Sequence, residues 1–361
     1  MSVRLPLQPE QFTADERTLL ASDAFQVRAW TYPSGVRALA LENRRGRLVV
    51  LPYQGQMIWD ATFDGCRLTM PGLFDQPRPT RRIIETYGCF MFHAGVLRNG
   101  CPAPEDSHEL HGELPCAPLN EAWLELGRDA EGDFLRLGGR HDYAMGFGDR
   151  YRAQPRVTLR ADSAVFELGL EVENQAGQPM DLMYMAHMNY AYVPGGRFHE
   201  PLGVARTRVR TSVPAHVRPT ADWQAFIAAL AEDPERLRVL DAPARYQPEI
   251  VSFIDAPGTD AAGEAHFLLE HPGGAAFYTA YRPQALPHAT RWVLHNPDQQ
   301  VAAFVLPATC EPEGYLAETT KGQVQQLQPG ERRAFSVRTG YLAAAEREAL
   351  LTRLADPARI R

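Results

Sequence analysis

Three short segments of this chain carry side chains that can move protons. Met185-Ala186-His187-Met188-Asn189-Tyr190-Ala191-Tyr192-Val193 sets a histidine in an apolar and aromatic run. Leu110-His111-Gly112 sets a second histidine in what reads as a strand or strand edge. Cys310-Glu311-Pro312-Glu313-Gly314 places two carboxylates just beyond the apolar run 301–306. An unperturbed imidazole exchanges protons near neutral pH. A carboxylate at a strand end serves as a base when partial burial lifts its pKa toward the working pH. Residues two apart in an extended strand share a face, so Asn189 accompanies His187 and Glu313 accompanies Glu311. A histidine beside an amide is a pairing that apolar packing does not require.

The elements that must hold these groups read as β. Segments 36–42 and 47–52 are apolar runs divided by a polar turn at 43–46. Segment 56–63 leads to Asp64-Gly65, a hairpin signal, before 66–70. Segments 122–127, 134–137, 156–160 and 164–173 continue the pattern. In the last, Phe166, Leu168, Leu170 and Val172 fall on one side, as in a half-buried strand. Helical spacing is confined to 222–232, with Phe226, Ile227 and Leu230 on one face and Pro234 beyond, and to 342–354. No repeat, low-complexity tract or linker divides the chain, so one domain over 1–361 is expected. Its fold class is all-β, a many-stranded antiparallel super-sandwich with a few short helices. The Pro-rich loops 71–80 and 99–107 are candidates to border a site.

Composition narrows the function classes. At 361 residues, 45% hydrophobic and 22% charged, the chain has the makings of an ordinary globular core. A formal net charge of −7 leaves no basic footprint for nucleic acid. Arg44-Arg45, Arg81-Arg82 and Arg332-Arg333 are short and scattered. The five cysteines show no CxxC spacing, which argues against a zinc knuckle or a disulfide framework. No window approaches the roughly 18 apolar residues of a membrane span, and no signal-peptide pattern opens the chain. A cytoplasmic protein without cofactor and without membrane contact is expected. A metal-dependent alternative would use His93, His108 and His111 with Glu109 or Glu113.

In order and character the three segments resemble the galactose mutarotase (aldose 1-epimerase) superfamily. That family carries a histidine before glycine near the end of its first third, here Leu110-His111-Gly112, with Glu113 where a second glycine is usual. A second histidine follows in a mid-chain strand, here Ala186-His187-Met188-Asn189-Tyr190, with Ala186 replacing the usual Asn. A glutamate follows a late buried strand, here in Ala308-Thr309-Cys310-Glu311-Pro312-Glu313. Segments 39–60 and 327–341 resemble its opening hairpin and closing strands. The resemblance implies that Glu311, or else Glu313, takes the proton of a sugar's C1 hydroxyl. His187, protonated, would then donate to the ring oxygen, and His111 would position the sugar and stabilise charge at that oxygen. It further implies substrate contacts from Asn189, His93, Glu313 and an arginine, Arg82 or Arg98. Trp292, Trp59 or Tyr190 could stack on the sugar. The expected ligand is a small-molecule sugar; the absence of a phosphate-cradling loop favours a neutral one.

Overall fold

The structure is a computed structural model that describes residues 2–214 and 217–356. Its described residues form two large antiparallel sheets. A nine-stranded sheet runs in the order Ser2–Pro6, Glu121–Asp129, Gly132–Ala144, Arg150–Arg160, Val165–Asn174, Arg332–Leu342, Ala276–Tyr281, Ala265–Glu270, Arg197–His199. The main path of a thirteen-stranded sheet runs through Val204–Val209, Ile250–Pro257, His288–His295, Gln300–Ala308, Met180–Met188, Met91–Val96 and Ile58–Phe63. It continues through Gly46–Val50, Arg37–Glu42, Gln26–Thr31 and Arg17–Ala21. The all-β sandwich expected from the sequence is the fold observed.

Local chemistry accounts for the elements. Asp64 (φ 49°) and Gly65 (φ 75°) both adopt positive φ between Ile58–Phe63 and Cys66–Arg67, the conformation a two-residue hairpin demands. Along Val165–Asn174, Phe166, Leu168, Leu170 and Val172 are buried while Glu167, Glu171 and Glu173 are half-buried. The helix Ala221–Glu232 is capped by Thr220, whose side chain accepts from the Trp223 N–H. It buries Trp223, Phe226, Ile227 and Leu230. The last helix, Ala344–Leu354, starts two residues later than the sequence suggested. A short helix, Tyr315–Thr320, is an addition to the expected elements.

The core lies between the sheets. Phe63 stacks on Phe166 at 5.7 Å, Tyr184 on Phe335 at 4.7 Å, and Tyr190 meets Phe277 at 4.7 Å between ring centroids. Tyr190, one of the residues considered for sugar stacking, therefore belongs to this interior, and its hydroxyl lies 2.6 Å from Thr339 Oγ1. Trp59 is buried as well. Among the described residues no helix is long and apolar enough to cross a membrane.

Candidate active site

Strand register decides which histidine belongs to the site. Met180–Met188 pairs antiparallel with Met91–Val96 so that His187 stands opposite Phe92 and Ala186 opposite His93. Directly opposed residues share a face and sequence neighbours alternate. Phe92 and His187 therefore occupy the face turned away from the nine-stranded sheet, while His93 points into the sandwich with Tyr184. His93 Nδ1 lies 2.9 Å from the Tyr184 hydroxyl, and burial drives its pKa down to about 3. The substrate contact expected of His93 is not where the structure places this residue: it is a hydrogen-bonded core histidine.

On the outer face the His187 imidazole lies flat on Phe92, with centroids 4.5 Å apart and planes 15° from parallel. His111 meets it edge-on at 4.8 Å. Trp292 and Tyr87 close two further sides at 5.8 and 6.1 Å. The Tyr87 hydroxyl is 3.4 Å from His187 Nε2. The pair is nearly sealed, His111 at 7% and His187 at 4% exposure. Burial lowers the His187 pKa to about 3, opposed in part by the adjoining Asn189 carboxamide. The imidazole is therefore neutral at pH 7 in the free protein, not the protonated acid that the resemblance implies. Asn189 is fully buried and its Nδ2 donates to the Cys89 carbonyl at 3.0 Å. Its Oδ1 accepts no hydrogen bond among the described residues.

His111 sits on a turn, not on the strand or strand edge expected. Its φ is 61°, and Gly112 follows at 83°. A Cβ on Gly112 would stand 2.0 Å from the Arg98 carbonyl oxygen, so only glycine fits. The His111 N–H donates to the Gly100 carbonyl, and its own carbonyl accepts from the Gly95 N–H, both at 2.9 Å. Glu113, at the position of the second glycine, braces this turn. Its Oε1 accepts from the Val96 and Leu97 N–H groups at 2.9 Å and from the Tyr151 hydroxyl at 2.8 Å. A cleft of about 430 Å³ lies behind the turn, lined in part by Arg98, Gly112, Glu113, His141 and Tyr143.

Glu311 is buried at 4% exposure, and both of its carboxylate oxygens are engaged. Arg208 donates to Oε1 at 2.6 Å and Lys321 to Oε2 at 2.7 Å. Its backbone N–H donates to Glu318 Oε2 at 3.0 Å. Glu313 accepts from Lys321 at 2.9 Å and from Ser212 at 2.7 Å. Glu318, fully buried, accepts from Lys321 at 2.8 Å. Burial raises the Glu318 pKa to about 7 despite that ammonium. None of the described hydrogen bonds of Glu311 reaches His187. Glu249 reaches the aromatic wall of the histidine pair: its Oε2 accepts from Trp292 Nε1 at 2.8 Å. Arg210 pairs with its other oxygen.

The two arginines expected near His111 turn their guanidinium groups to other partners. Arg82 is exposed and pairs with Glu85 and Glu109 at 3.1 and 2.9 Å. Arg98 lies over the Tyr315 ring at 3.6 Å. Arg208 and Arg210, which alternate along and just past the strand Val204–Val209, reach the carboxylates instead. His93, His108 and His111 do not assemble: His108 bonds the Glu109 carbonyl at 2.8 Å and the Tyr315 N–H at 3.3 Å. Among the described residues, two other groups have the composition of metal ligands. In one, Glu311, Glu313 and Glu318, the ammonium of Lys321 bonds all three carboxylates. In the other, Asp260, Glu264 and His266, the imidazole nitrogens lie 2.9 Å from Tyr278 and 3.2 Å from Asp260.

Tyr87, Glu249, Arg208, Arg210, Glu318 and Lys321 were not among the residues expected from the sequence. Lys321 had a visible signal, being the only lysine among 37 basic residues. Glu249 stands immediately before the apolar start of Ile250–Pro257. Tyr87 had no signal in its local pattern.

Solved structures share this fold. A protein from Klebsiella pneumoniae subsp. pneumoniae, provisionally named an aldose 1-epimerase, aligns with a TM-score of 0.79 and 17% identity over 98% of this chain and 95% of its own. A galactose mutarotase-like protein from Clostridium acetobutylicum gives 0.59 and 10% identity over 89% and 99%. A Salmonella typhimurium protein provisionally named a mutarotase gives 0.58 and 8% over 90% and 95%. The fold is thus galactose mutarotase-like. Among curated proteins none matches the sequence. Residues 33–340 match the family described as "Domain of unknown function (DUF4432)", and the chain belongs to that family.

Proposed function

We propose that this protein, acting as a single domain in the cytoplasm, interconverts the anomers of an aldose or a related neutral sugar by acid–base opening and closing of the hemiacetal ring. The observation that carries the reading is the His111–His187 pair, two imidazoles 4.8 Å apart on a face walled by Phe92, Tyr87 and Trp292. Aromatic walls suit the apolar face of a sugar, and imidazoles suit its hydroxyls and ring oxygen. The provisional names of the structural neighbours belong to the same reaction class. Neither nucleic acid nor a membrane enters this reading.

In this reading Glu311 takes the proton of the C1 hydroxyl, and His187, protonated in the complex with the sugar, gives its proton to the ring oxygen; both return on reclosure. The bond from C1 to the ring oxygen breaks as the C1 carbonyl forms. Rotation about C1–C2 and reclosure give the other anomer. His111 orients the sugar, and Trp292 stacks on it. Each positioned acid or base contributes on the order of 10²–10⁴-fold. The test is exchange NMR of anomeric protons over a panel of hexoses, pentoses and deoxy sugars. Exchange above the spontaneous rate, lost in His187→Ala, supports the reading; spontaneous rates across the panel refute it.

A second reading is a carbohydrate-binding protein without turnover. The engagement of both Glu311 oxygens by Arg208 and Lys321 favours it. Binding of a panel sugar that Glu311→Gln alters in affinity alone, with no exchange in either form, distinguishes it.

A further inference from the structure

The sequence has 37 basic residues, and Lys321 is its only lysine. That one exception falls where three carboxylates converge. Lys321 Nζ lies 2.7 Å from Glu311 Oε2, 2.9 Å from Glu313 Oε2 and 2.8 Å from Glu318 Oε1. Ligand atoms of the three carboxylates all lie within 4.8 Å of one another. An ammonium has three N–H donors that diverge from one point, one for each acceptor. A guanidinium is a flat fork suited to one carboxylate held side-on, and it cannot place three donors on three converging anions.

We propose that Lys321 is the positioning residue of the Glu311 carboxylate, and that the site requires an ammonium there rather than a cation in general. The proposal rests on the reading of Glu311 as the group that exchanges the C1 hydroxyl proton. Lys321 acts on Glu311 in two ways. It bonds Oε2 directly, and it holds Glu318, whose Oε2 accepts from the Glu311 backbone N–H at 3.0 Å. Arg208 fixes the other oxygen at 2.6 Å. Without the ammonium, Glu313 would repel Glu311 across a largely desolvated gap, where the repulsion is weakly screened, and Glu318 would lose the donor that holds it against the Glu311 backbone.

The test is anomer exchange by the full chain on whichever panel sugar it turns over. Lys321→Met lowers kcat about 100-fold, the size of effect expected of a reacting group displaced by an ångström, with KM little changed. Lys321→Arg restores the charge but not kcat. Wild-type kcat in either variant overturns the proposal. If the variants do not fold, reductive dimethylation of the folded wild-type protein makes the same test. It keeps the charge, leaves one N–H for three carboxylates, and modifies no other side-chain amine. Undiminished kcat after full dimethylation overturns the proposal. If no sugar is turned over, the functional reading falls, and the clamp is read by itself from the ¹⁵N-ammonium correlation of this single lysine. A slowly exchanging signal that is lost in Glu318→Gln upholds the clamp; an ammonium exchanging as fast as a free one overturns it.

Discussion

Replacing His187 by leucine tests whether its imidazole is sealed in the folded protein. Burial brings the His187 pKa from 6.5 to about 3, and His93 on the opposite face falls equally far. Both groups are neutral at pH 7 in either state of the chain. Below pH 6.5 the unfolded chain takes up a proton that the folded chain refuses, so stability falls as pH falls, until the folded group titrates near 3. The slope is about 1.4 kcal/mol per pH unit for each such histidine. At pH 5, some one and a half units below the unfolded value, each costs about 2 kcal/mol. Urea unfolding at pH 7 and pH 5 then gives a wild-type loss to which the two histidines add about 4 kcal/mol, and a His187→Leu loss smaller by about 2. Carboxylates and other histidines titrate in both proteins and cancel in the difference. Equal pH dependence for wild type and His187→Leu would refute the sealed, neutral imidazole.

Other perturbations follow from the same geometry. Gly112→Ala combines a left-handed φ with a 2.0 Å approach to the Arg98 carbonyl; it is expected to cost at least about 1–2 kcal/mol and displace His111, seen as a lowered Tm and lost exchange activity. Arg210→Met removes the guanidinium that pairs with the buried Glu249 carboxylate, a loss of about 3–5 kcal/mol measurable by denaturant unfolding. Tyr87→Phe removes the hydroxyl facing His187 Nε2. The expected result is a shift of the His187 ring ¹⁵N resonances with the fold intact, and unchanged resonances would show that the 3.4 Å contact carries no hydrogen bond.

The fold was legible in the sequence because period-2 alternation and turn chemistry are local. Val165–Asn174 buries the residues its alternation marks, and Asp64-Gly65 makes the hairpin its composition demands. The histidine pair was legible as two segments but not as a geometry. Its turn at His111 depends on Gly112 passing the Arg98 backbone, a close approach that no local pattern encodes. His93 shows the limit of reading single strands, because an all-apolar neighbourhood does not reveal which face meets the other sheet. The charged groups were the least legible. Arg208 and Lys321 meet Glu311 from 103 and 10 residues away, and side chains that pair through space leave no spacing rule in the chain.

The pairing of Met91–Val96 with Met180–Met188 sets His187 outward and His93 inward, at equal depth and with equally suppressed basicity. Strand registry has a repeat of two, so sliding either strand by one residue would turn its histidine through the sheet. One slip would bring His93 out into the aromatic enclosure; the other would send His187 into the interior. Which histidine meets the aromatic enclosure and which meets the core is thus a parity, not a distance. Single-residue insertions or deletions in either strand are expected to abolish the site outright, while two-residue changes leave its polarity intact.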